Sequence, residues 1–542
     1  MQIKLTNLLE TKGFKEIDQN LLIYCRGYAE FSSNIHYKDK FIKLIISHYR
    51  NHELFERMKK YSGCWQFVII DKKQKKIVIV NDRWGSFPLF YYNTDELFIS
   101  NYWKNFIDKT KTDINRTAAL ELSSLGYVLG NKTLLSGVME FPAHTYTKIS
   151  YSDNNTQFKI ENYWQFNYHH QPANEKEKEI EFTRLWQKRL AFYCDFLNES
   201  NSGVYLPFSG GLDCRLLANE LDKHGIRTTA LTYGLNREYK EIDSAIQAFS
   251  LLNHKSGHYL EYLTESTIRN LKASLQYPDP LTCAHFGQMM MDYHSQVVDE
   301  FPYIMTGFTG DLVGGSLIKN KMLKWHSTEQ IVSHIINLRS APLYKHFINH
   351  PEYKENLLSS LKASIPQDSN DIISAYVRWF VENDARRYLI RSIIPHDNHS
   401  DRILLPFFDY EIFDFFLSLP QYLLINKRLY VNSQIKYLFN NNPQILRVKR
   451  AKPFRKVKLV GNRLWEEYYP KLILKSGIPG DLKREKKTLA YNKMDWLDIY
   501  DDLKLPEFFP VNILNHSILR DKPAYIKFFH PVSRVFKELG RK

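Results

Sequence analysis

The stretch Val204–Arg215, VYLPFSGGLDCR, decides the interpretation of this 542-residue chain. Apolar residues alternate before its two glycines, as in a short buried strand, at Val204, Leu206 and Phe208. Apolar residues recur at helical spacing after the glycines, at Leu212, Leu216, Leu217 and Leu221. The pattern predicts a strand, a glycine turn and a helix, which is the layout of a phosphate-binding loop.

The turn carries groups that suit a pyrophosphate. Gly210 and Gly211 let the main chain approach a phosphate closely, and Ser209 adds a hydroxyl. The helix that follows contributes partial positive charge at its first turn, where Asp213 can hold Mg²⁺. These residues predict nucleotide chemistry, and the alternative is a plain flexible turn, which a glycine pair also forms.

Composition bounds the class of protein. The chain is 44% hydrophobic, which at this length predicts a folded protein with two or three domains. The N-terminal residues carry interleaved charges and no run of about 18 apolar residues occurs, so we expect a soluble, cytoplasmic protein without a membrane span. The five cysteines are scattered and never spaced as CxxC, which argues against a disulfide framework or a structural zinc site.

Positive charge is concentrated near the C-terminus. The net charge is +15, and residues 445–487 hold about 14 Lys and Arg against about 4 acidic residues. Such a segment can be a solvated basic face, an anion-binding lip over a nucleotide site or a docking surface. No RNA-binding signature accompanies it, so nucleic acid is not an expected partner.

The first 170 residues have β character. Two hairpins are predicted, from the strands Trp65–Asp71 with Lys76–Asn81 and Leu89–Tyr92 with Leu97–Ser100. A polar stretch at Gln171–Lys178 precedes a helical pattern at Ile180–Leu197. We therefore expect a domain boundary near residues 170–180.

From Val204 onward strands alternate with helices, which predicts a parallel sheet. Further strands are expected at Thr228–Tyr233, His258–Leu263 and Tyr303–Thr306, with a helix at Asp243–Leu252. The last of these strands runs into a second glycine-rich loop, Gly307–Gly315 (GFTGDLVGG), which carries Asp311. Because ligands of parallel sheets bind at the carboxyl ends of the strands, Asp213 and Asp311 are predicted to share one Mg²⁺.

The order of these segments resembles the asparagine synthetase family. In the N-terminal half the similar segments are Gly63–Asp71, Asn81–Tyr92, Gly126–Val128, Thr133–Pro142 and Tyr163–Trp164. In the C-terminal half they are Ser209–Asp213, Leu405–Asp409 and Leu417–Pro420. The resemblance covers nearly the whole chain, and it rests on the ordered set rather than on one motif.

The resemblance implies an α/β fold in two parts. Residues 1–170 would form a glutamine amidotransferase-like, β-rich domain, an Ntn-type αββα sandwich. Residues 171–542 would form an asparagine-synthetase-like ATP-pyrophosphatase domain, an adenine-nucleotide α-hydrolase-like (PP-loop) parallel sheet with a basic, helical C-terminal region. The implied reaction has two steps. ATP and Mg²⁺ activate a substrate carboxylate by adenylation with release of pyrophosphate, and an amine then forms the amide and releases AMP.

The resemblance also implies site residues. ATP contacts are implied for Leu206, Ser209, Gly210, Gly211, Leu212, Asp213, Cys214, Thr232 and Gly307. Asp213 and Asp311 are implied as metal ligands and as catalytic groups of the activation step. The amide-forming lysine of the family falls within Arg447–Phe454, where we expect it to be Lys452, with Lys449 and Arg450 as competitors.

A first departure from the family concerns glutamine. Glutamine-hydrolysing members use an N-terminal cysteine whose own α-amine is the base, whereas residue 2 here is Gln2 and the nearest thiol is Cys25. We therefore expect no glutaminase activity, and a structural or docking role for the N-terminal domain. Ammonia would then be supplied by a separate protein, or a substrate amine would replace it.

Further departures lie in the two loops. The acidic residue that assists amine attack in the family is replaced by Phe308, which has no proton to transfer. Cys214 stands where the family has serine, and it either contacts a phosphate or is buried. Arg215 is expected to form a surface salt bridge, with a phosphate contact as the alternative.

Polar residues near the next strands are expected to have structural roles. Glu238, Glu241 and Asp243 are interpreted as a solvated acidic helix start, although they could serve the metal or the amine. His254 and His258 have no ligand partners at metal-binding spacing and are interpreted as structural or surface groups.

Three functions remain open. The leading one is a ligase that joins a small-molecule, peptide or glycan carboxylate to ammonia or a substrate amine, as in surface-glycan or modified-peptide biosynthesis. The second is a PP-loop RNA-modifying enzyme, against which the N-terminal domain argues, and the third is a catalytically weakened ATP-binding scaffold. The sequence does not identify the substrates, and nothing selects among pocket candidates such as Cys283, His285 and Asp384.

Overall fold

A computed structural model describes most of the chain. The described residues are 2–3, 14–93, 96–109, 113–152, 155–166, 172–234, 240–262, 303–339, 351–391, 403–449, 505–506 and 526–540. Within these ranges the chain forms two β-sheets before residue 165 and a third from Val204 onward.

Strands of the N-terminal part pair in two sheets. The larger sheet has the order Asn155–Asn162, Thr145–Ser152, Lys76–Asn81, Ser62–Asp71, Leu21–Phe31 and Lys15–Asp18, with Asn34–Tyr37 also paired to Leu21–Phe31. The smaller sheet has the order Gln2–Ile3, Glu96–Ser100, Phe90–Asn93 and Val138–Glu140. Both predicted hairpins are present, since Ile70 pairs with Ile77 and Tyr92 pairs with Phe98.

Both faces of the larger sheet are buried, which explains the continuous apolar runs WQFVII and IVIV. One face packs against the smaller sheet through a core that includes Val68, Ile70, Ile79 and Phe141. The other face packs against helix Lys38–Arg50. Helix Lys104–Lys109 covers the smaller sheet, where Phe106 meets Phe98 edge-on. This arrangement is the αββα sandwich that the resemblance implies.

Five parallel strands form the sheet of the second part. Their order is Lys255–Tyr262, Thr228–Gly234, Val204–Pro207, Tyr303–Met305 and Ile403–Leu404. The sequence predicts the first four, whereas the fifth has two residues and is too short for a periodic signal. Because Val204–Pro207 is central, its carboxyl end is flanked by the ends of both neighbouring strands.

Helices surround the sheets. They span Lys38–Arg50, Leu54–Met58, Lys104–Lys109, Arg116–Leu125, Glu175–Glu199, Leu212–Lys223, Lys240–Ser250, Gly310–Val313, Thr328–Arg339, Pro351–Ser364, Ile372–Trp379, Tyr410–Leu417, Gln421–Leu424, Arg428–Ser433, Gln444–Arg447 and Ile526–Gly540. Tighter 3₁₀ turns occur at Asn320–Lys324, Pro406–Phe408 and Ile425–Lys427, and wider π turns at Phe380–Ile390 and Gln434–Leu438. Among the described residues, no helix combines the length and apolar composition that crossing a bilayer requires.

The two parts share one continuous hydrophobic core. Trp84 meets Phe413 edge-on, with ring centroids 4.6 Å apart, and its indole N–H donates to the carbonyl oxygen of Phe408 at 3.2 Å. The hydroxyl of Tyr127 donates to Asp384 at 2.9 Å. Side chains of the N-terminal sandwich therefore complete the interior of the second part.

A buried ion cluster lies at this joint. Glu140 is fully buried and accepts hydrogen bonds from Arg386, at 2.8 Å, and from Arg391, and it forms an ion pair with Arg387. Burial lowers the pKa of Arg391 to about 9. One buried carboxylate pairs with three arginines. Removal of Glu140 would therefore leave the positive charge of these arginines without this partner in an apolar interior.

Candidate functional site

The glycine turn lies at the carboxyl end of the central strand Val204–Pro207. Gly210 has a φ of +67°, in the left-handed region that favours glycine. A Cβ atom on Gly210 would lie 2.8 Å from the backbone nitrogen of Ala245 and 2.8 Å from Oγ of Ser244. The conformation and the close approach of the next helix therefore both require glycine here.

Helix Leu212–Lys223 begins directly after Gly211, and no side chain caps its first turn. The first N–H groups of a helix have no partner within the helix, and they attract anions. Ser209 is exposed, and Gly211, Leu212 and Asp213 are half-buried. The turn is therefore accessible to a ligand.

The second glycine loop packs directly onto the first. A Cβ atom on Gly307 would lie 2.8 Å from the backbone nitrogen of Cys214, and one on Gly310 would lie 2.7 Å from Cγ of Asp213. Both loops follow neighbouring parallel strands, so the structure brings their main chains together at one edge of the sheet. Asp311 is the second residue of helix Gly310–Val313, and its side chain lies outside the described part of the chain.

Tyr430 is a residue of this site that sequence reasoning missed. Its hydroxyl donates a 2.6 Å hydrogen bond to Oδ1 of Asp213, from helix Arg428–Ser433. Cβ atoms on Gly310 and Gly314 would lie 2.8 Å from the Tyr430 hydroxyl and 2.6 Å from its ring. The two glycines four positions apart indicate a close contact, but nothing in the sequence identifies its partner.

Thr232 and Leu206, two of the residues predicted to contact ATP, have buried side chains. Thr232 is buried, and its hydroxyl donates to the carbonyl oxygen of Phe208 at 2.6 Å and lies 2.7 Å from Nε2 of His258. Burial lowers the pKa of His258 to about 4, so its imidazole is neutral at pH 7. The side chain of Leu206 is fully buried in the core. Both residues hold the strand end that carries the loop, and their contact with ATP stays a prediction.

Cys214 is buried beneath the turn. Its thiol donates to the carbonyl oxygen of Gly211 at 3.2 Å and lies 3.8 Å from Oγ of Ser209. Burial raises the pKa of the thiol above its ordinary value. This geometry favours the buried alternative over a phosphate contact.

We expect Cys214 to resist alkylation in the native protein. Iodoacetamide reacts with the thiolate, and burial both raises the thiol pKa and blocks access. After brief treatment at pH 8, peptide mass spectrometry should show less than about 10% modification of Cys214, against full modification in urea. Rapid labelling of the native protein would contradict the buried placement.

The expected surface salt bridge of Arg215 is wrong. Its guanidinium is fully buried and donates to the carbonyl oxygen of Gly210 at 2.8 Å. Position 215 lies on the polar side of the helical pattern, but this helix is enclosed by other elements on that side too. Buried polar residues of the same helix are Asn219, Glu220 and Asp222.

The remaining candidates are spread over several places. Glu241 and Asp243 lie in the first turn of helix Lys240–Ser250, as expected for an acidic helix start. His254 pairs with Asp222 at 3.3 Å, which agrees with a structural role. Asp384 accepts the Tyr127 hydrogen bond at the joint between the two parts. Residues that lie outside the described ranges are Glu238, Cys283, His285, Arg450 and Lys452.

No group of three or more His, Cys, Asp or Glu side chains in the described ranges is arranged to hold a metal ion. A cation at Asp213 would therefore take its other ligands from phosphate oxygens, from water or from Asp311. Such a ligand set is typical of Mg²⁺, which is usually held by one or two carboxylates together with substrate phosphates.

Comparison with known proteins finds similarity over parts of the chain. The glutamine amidotransferase domain family matches residues 44–164. A Methanocaldococcus jannaschii protein, provisionally named a glutamine-hydrolyzing asparagine synthetase, is 23% identical over 233 residues. Part of this chain is therefore similar in sequence to an asparagine synthetase. The aligned region covers 42% of this chain and 44% of the M. jannaschii protein, which is less than half of that protein's length.

Two solved structures show weak similarity to parts of this chain. NAD⁺ synthetase from Burkholderia pseudomallei is 12% identical with a TM-score of 0.21, and the match covers 41% of this chain and 92% of that one. The allosteric regulatory enzyme of purine biosynthesis is 9% identical with a TM-score of 0.20, over 46% of this chain and 61% of that one.

The N-terminal part of the chain, up to residue 170, contains two cysteines, Cys25 and Cys64. Residues 1–24 contain no cysteine. Cys25 lies inside strand Leu21–Phe31 and pairs with Phe67 of the adjacent strand. Burial raises the pKa of the Cys64 thiol well above its ordinary value. An N-terminal nucleophile needs a free α-amine, which a residue inside a paired strand does not have.

Proposed function

We propose that this protein is an ATP-dependent ligase that activates a substrate carboxylate and joins it to ammonia or a substrate amine. The observation that supports the proposal is the contact between the two glycine loops, with Gly307 against Cys214 and Gly310 against Asp213. Nucleotides bind α/β sheets at the carboxyl ends of adjacent parallel strands, which is where these loops meet.

The proposal assigns different tasks to the two parts. Residues 1–170 would be a glutamine amidotransferase-like domain without glutaminase activity, and residues 171–542 would be the ATP-pyrophosphatase domain. The carboxylate would belong to a small molecule, a peptide or a glycan, and the reaction would take place in the cytoplasm. The positions of Cys25 and Cys64 support the exclusion of glutamine as nitrogen donor.

The loop residues fit ATP and Mg²⁺. Main-chain N–H groups of Gly210, Gly211 and the first helical turn would bind phosphate oxygens, and the exposed Ser209 hydroxyl would add a donor. Asp213 and Asp311 would hold Mg²⁺, which when bound neutralises charge on the pyrophosphate. The further residues proposed to shape the nucleotide site are Leu206, Leu212, Cys214, Thr232 and Gly307.

The proposed chemistry has two steps. First, a carboxylate oxygen of the substrate attacks the α-phosphorus of ATP, and the bond to the β-phosphate breaks with release of pyrophosphate. The loop N–H groups stabilise the negative charge that develops on this leaving group. Second, the amine nitrogen attacks the activated acyl carbon, loses a proton and displaces AMP, with Lys452 proposed to act in this step.

Phe308 has no basic atom that could deprotonate the ammonium form of the amine before it attacks, and the proton lost on amide formation can leave to water. The amine must therefore arrive as its free base. Consequently, we expect the rate of the second step to rise with pH until the amine is deprotonated, and we expect the first step to lack this dependence. Initial rates of AMP formation and of pyrophosphate exchange, measured between pH 7 and pH 9, would separate the two steps.

Pyrophosphate exchange into ATP tests the proposed function. Labelled pyrophosphate, ATP, Mg²⁺ and a panel of carboxylic acids, including aspartate, should give exchange with one acid class at least about tenfold above the acid-free rate. Ammonium, but not glutamine, should then support amide formation. If ATP binds and no acid supports exchange, the ligase fails and the scaffold function replaces it, while salt-sensitive tRNA binding would favour the RNA-modifying alternative.

Replacing Tyr430 by phenylalanine should weaken the response to Mg²⁺. The change keeps the buried ring and removes the hydroxyl that donates to Asp213, and hydrogen bonds to charged groups contribute about 1.5–3 kcal/mol. We expect the Mg²⁺ concentration for half-maximal exchange to rise about tenfold, with little change at saturation. Titration of exchange with Mg²⁺ measures this shift.

Tyr410→Phe is the matched control. The Tyr410 hydroxyl is also in a buried environment and accepts a hydrogen bond from the backbone N–H of Arg83, at 2.9 Å, at the joint between the two parts. Its loss should leave the Mg²⁺ response unchanged. An identical Mg²⁺ titration for wild type and Tyr430→Phe would remove Tyr430 from the site.

A further inference from the structure

Arg215 joins three segments of the second part through one side chain. Its Nε donates to the carbonyl oxygen of Gly210 at 2.8 Å, and its Nη2 donates to Oγ of Ser244 at 3.0 Å. Its Nη1 donates to the carbonyl oxygens of Ile445, at 2.7 Å, and Val448, at 2.9 Å. The guanidinium therefore ties the first glycine loop to the neighbouring helix and to the chain at residues 445–448.

Burying the charged side chain of Arg215 costs folding free energy. Its side chain is fully buried, and burial lowers its pKa. Among the described residues no carboxylate forms an ion pair with Arg215, and the compensating contacts are carbonyl oxygens and one hydroxyl. An apolar side chain of similar volume would fill this space without the cost of burying a charge. We therefore attribute the presence of an arginine at this position to the three segments that its hydrogen bonds connect.

One of these segments contains a predicted phosphate donor. The carbonyl group of Gly210 and the N–H group of Gly211 belong to the same peptide plane, and in a trans peptide they point in opposite directions. By holding the Gly210 oxygen, Arg215 helps to orient the Gly211 N–H, which donates to Oγ of the exposed Ser209 at 3.4 Å at the start of helix Leu212–Lys223.

Another segment leads toward the proposed amide-forming lysine. Lys449 follows Val448 directly and is exposed, and Lys452 comes three residues later in the sequence. Each residue extends the chain by at most about 3.6 Å. Anchoring Val448 therefore limits the positions that the next residues of the chain can reach. Arg215 thus contacts both the loop for the first reaction step and the approach to the residue for the second.

We propose, on the basis of the proposed function, that Arg215 is a positioning residue that couples the phosphate-binding loop to residues 445–449. ATP at the loop then stabilises this segment, and the segment in turn stabilises the loop, because coupling between two sites is reciprocal. Loss of Arg215 uncouples the two, so that ATP binding no longer affects residues 445–449.

Limited trypsin cleavage after Arg447 and Lys449, two exposed positions, tests the coupling in the full-length protein. Without ATP, cleavage should be about tenfold faster in Arg215→Gln than in wild type, because the anchor is lost. Mg²⁺–ATP should slow cleavage of wild type at least about fivefold and should not slow cleavage of Arg215→Gln. Arg215→Lys, which keeps a cation with fewer donors, should restore part of the protection and serves as the comparison if Arg215→Gln does not fold.

Asn219→Ala is the matched control. Asn219 lies one turn later on the same helix, is fully buried and donates to the carbonyl oxygen of Leu438 at 3.2 Å and to Asn441 at 3.0 Å, two partners outside the glycine loop. Asn219→Ala should lower the thermal stability of the protein, and Mg²⁺–ATP should still slow its cleavage by trypsin.

Each outcome is decisive. Equal cleavage of wild type and Arg215→Gln without ATP overturns the anchoring, and equal ATP protection of the two overturns the coupling. Absence of ATP binding to wild type defeats the proposed function instead, while the cleavage rates without ATP still decide the anchoring.

Discussion

Replacement of Gly210 by alanine is expected to abolish ATP binding, with a loss of affinity greater than about 100-fold. A left-handed conformation costs an alanine about 1–2 kcal/mol, and the added Cβ would lie 2.8 Å from the backbone nitrogen of Ala245. Relief of this contact must move either the loop or helix Lys240–Ser250, so the phosphate-binding N–H groups lose their alignment. Calorimetric titration with Mg²⁺–ATP measures the affinity, and thermal unfolding measures the accompanying loss of stability.

Gly130→Ala separates the effect of the contact from the effect of the conformation. Gly130 has a φ of +62°, and a Cβ atom there would meet nothing within 4 Å. This variant should lose only the folding free energy that a left-handed alanine backbone costs, and it should bind ATP as wild type does. If Gly210→Ala also binds ATP as wild type does, the nucleotide site must be sought elsewhere.

Asp213→Asn is expected to reduce pyrophosphate exchange by about 10²- to 10³-fold while the fold is kept. The amide removes the negative charge proposed to hold Mg²⁺, but its oxygen can still accept the 2.6 Å hydrogen bond from Tyr430. The loss should therefore appear in exchange and in the Mg²⁺ dependence, with the thermal unfolding midpoint close to that of wild type.

Asp222→Asn tests whether any carboxylate of this helix has the same effect. Asp222 is buried and accepts hydrogen bonds from the backbone N–H groups of Asn253, at 2.7 Å, and His254, at 2.6 Å, at the far end of the helix from the loop. Its replacement should lower stability and leave exchange within about threefold of wild type. Full exchange in Asp213→Asn would show that the metal is held by other groups.

Much of the fold could be predicted because local patterns agree with the tertiary environment. Trp65–Asp71 and Lys76–Asn81 are continuous apolar runs, and the structure buries both faces of the sheet that contains them. The turn at Gly210 could be predicted because a positive φ and a close backbone approach both require glycine. In each case the sequence signal comes from the same few residues that adopt the structure.

The features that were missed depend on contacts between distant residues. Tyr430 reaches Asp213 across 217 positions, and its short helix carries no pattern that indicates this partner. The local helical pattern predicts a surface position for Arg215, because the pattern does not show that other elements cover the polar side of this helix. Strand Ile403–Leu404 is recognisable only from its pairing with Tyr303–Met305.

The cluster of Glu140 with Arg386, Arg387 and Arg391 bears on how this gene can evolve. A truncation that deletes residues 1–170 would remove Glu140, a carboxylate that these three arginines share, and it would expose Phe408 and Phe413, which pack against Trp84. Purifying selection then acts on the inner surface of this domain, whatever reaction the domain itself catalyses. Residues of this inner surface form part of the interior of the second part, and we expect them to vary less among homologues than the exposed residues of the same domain.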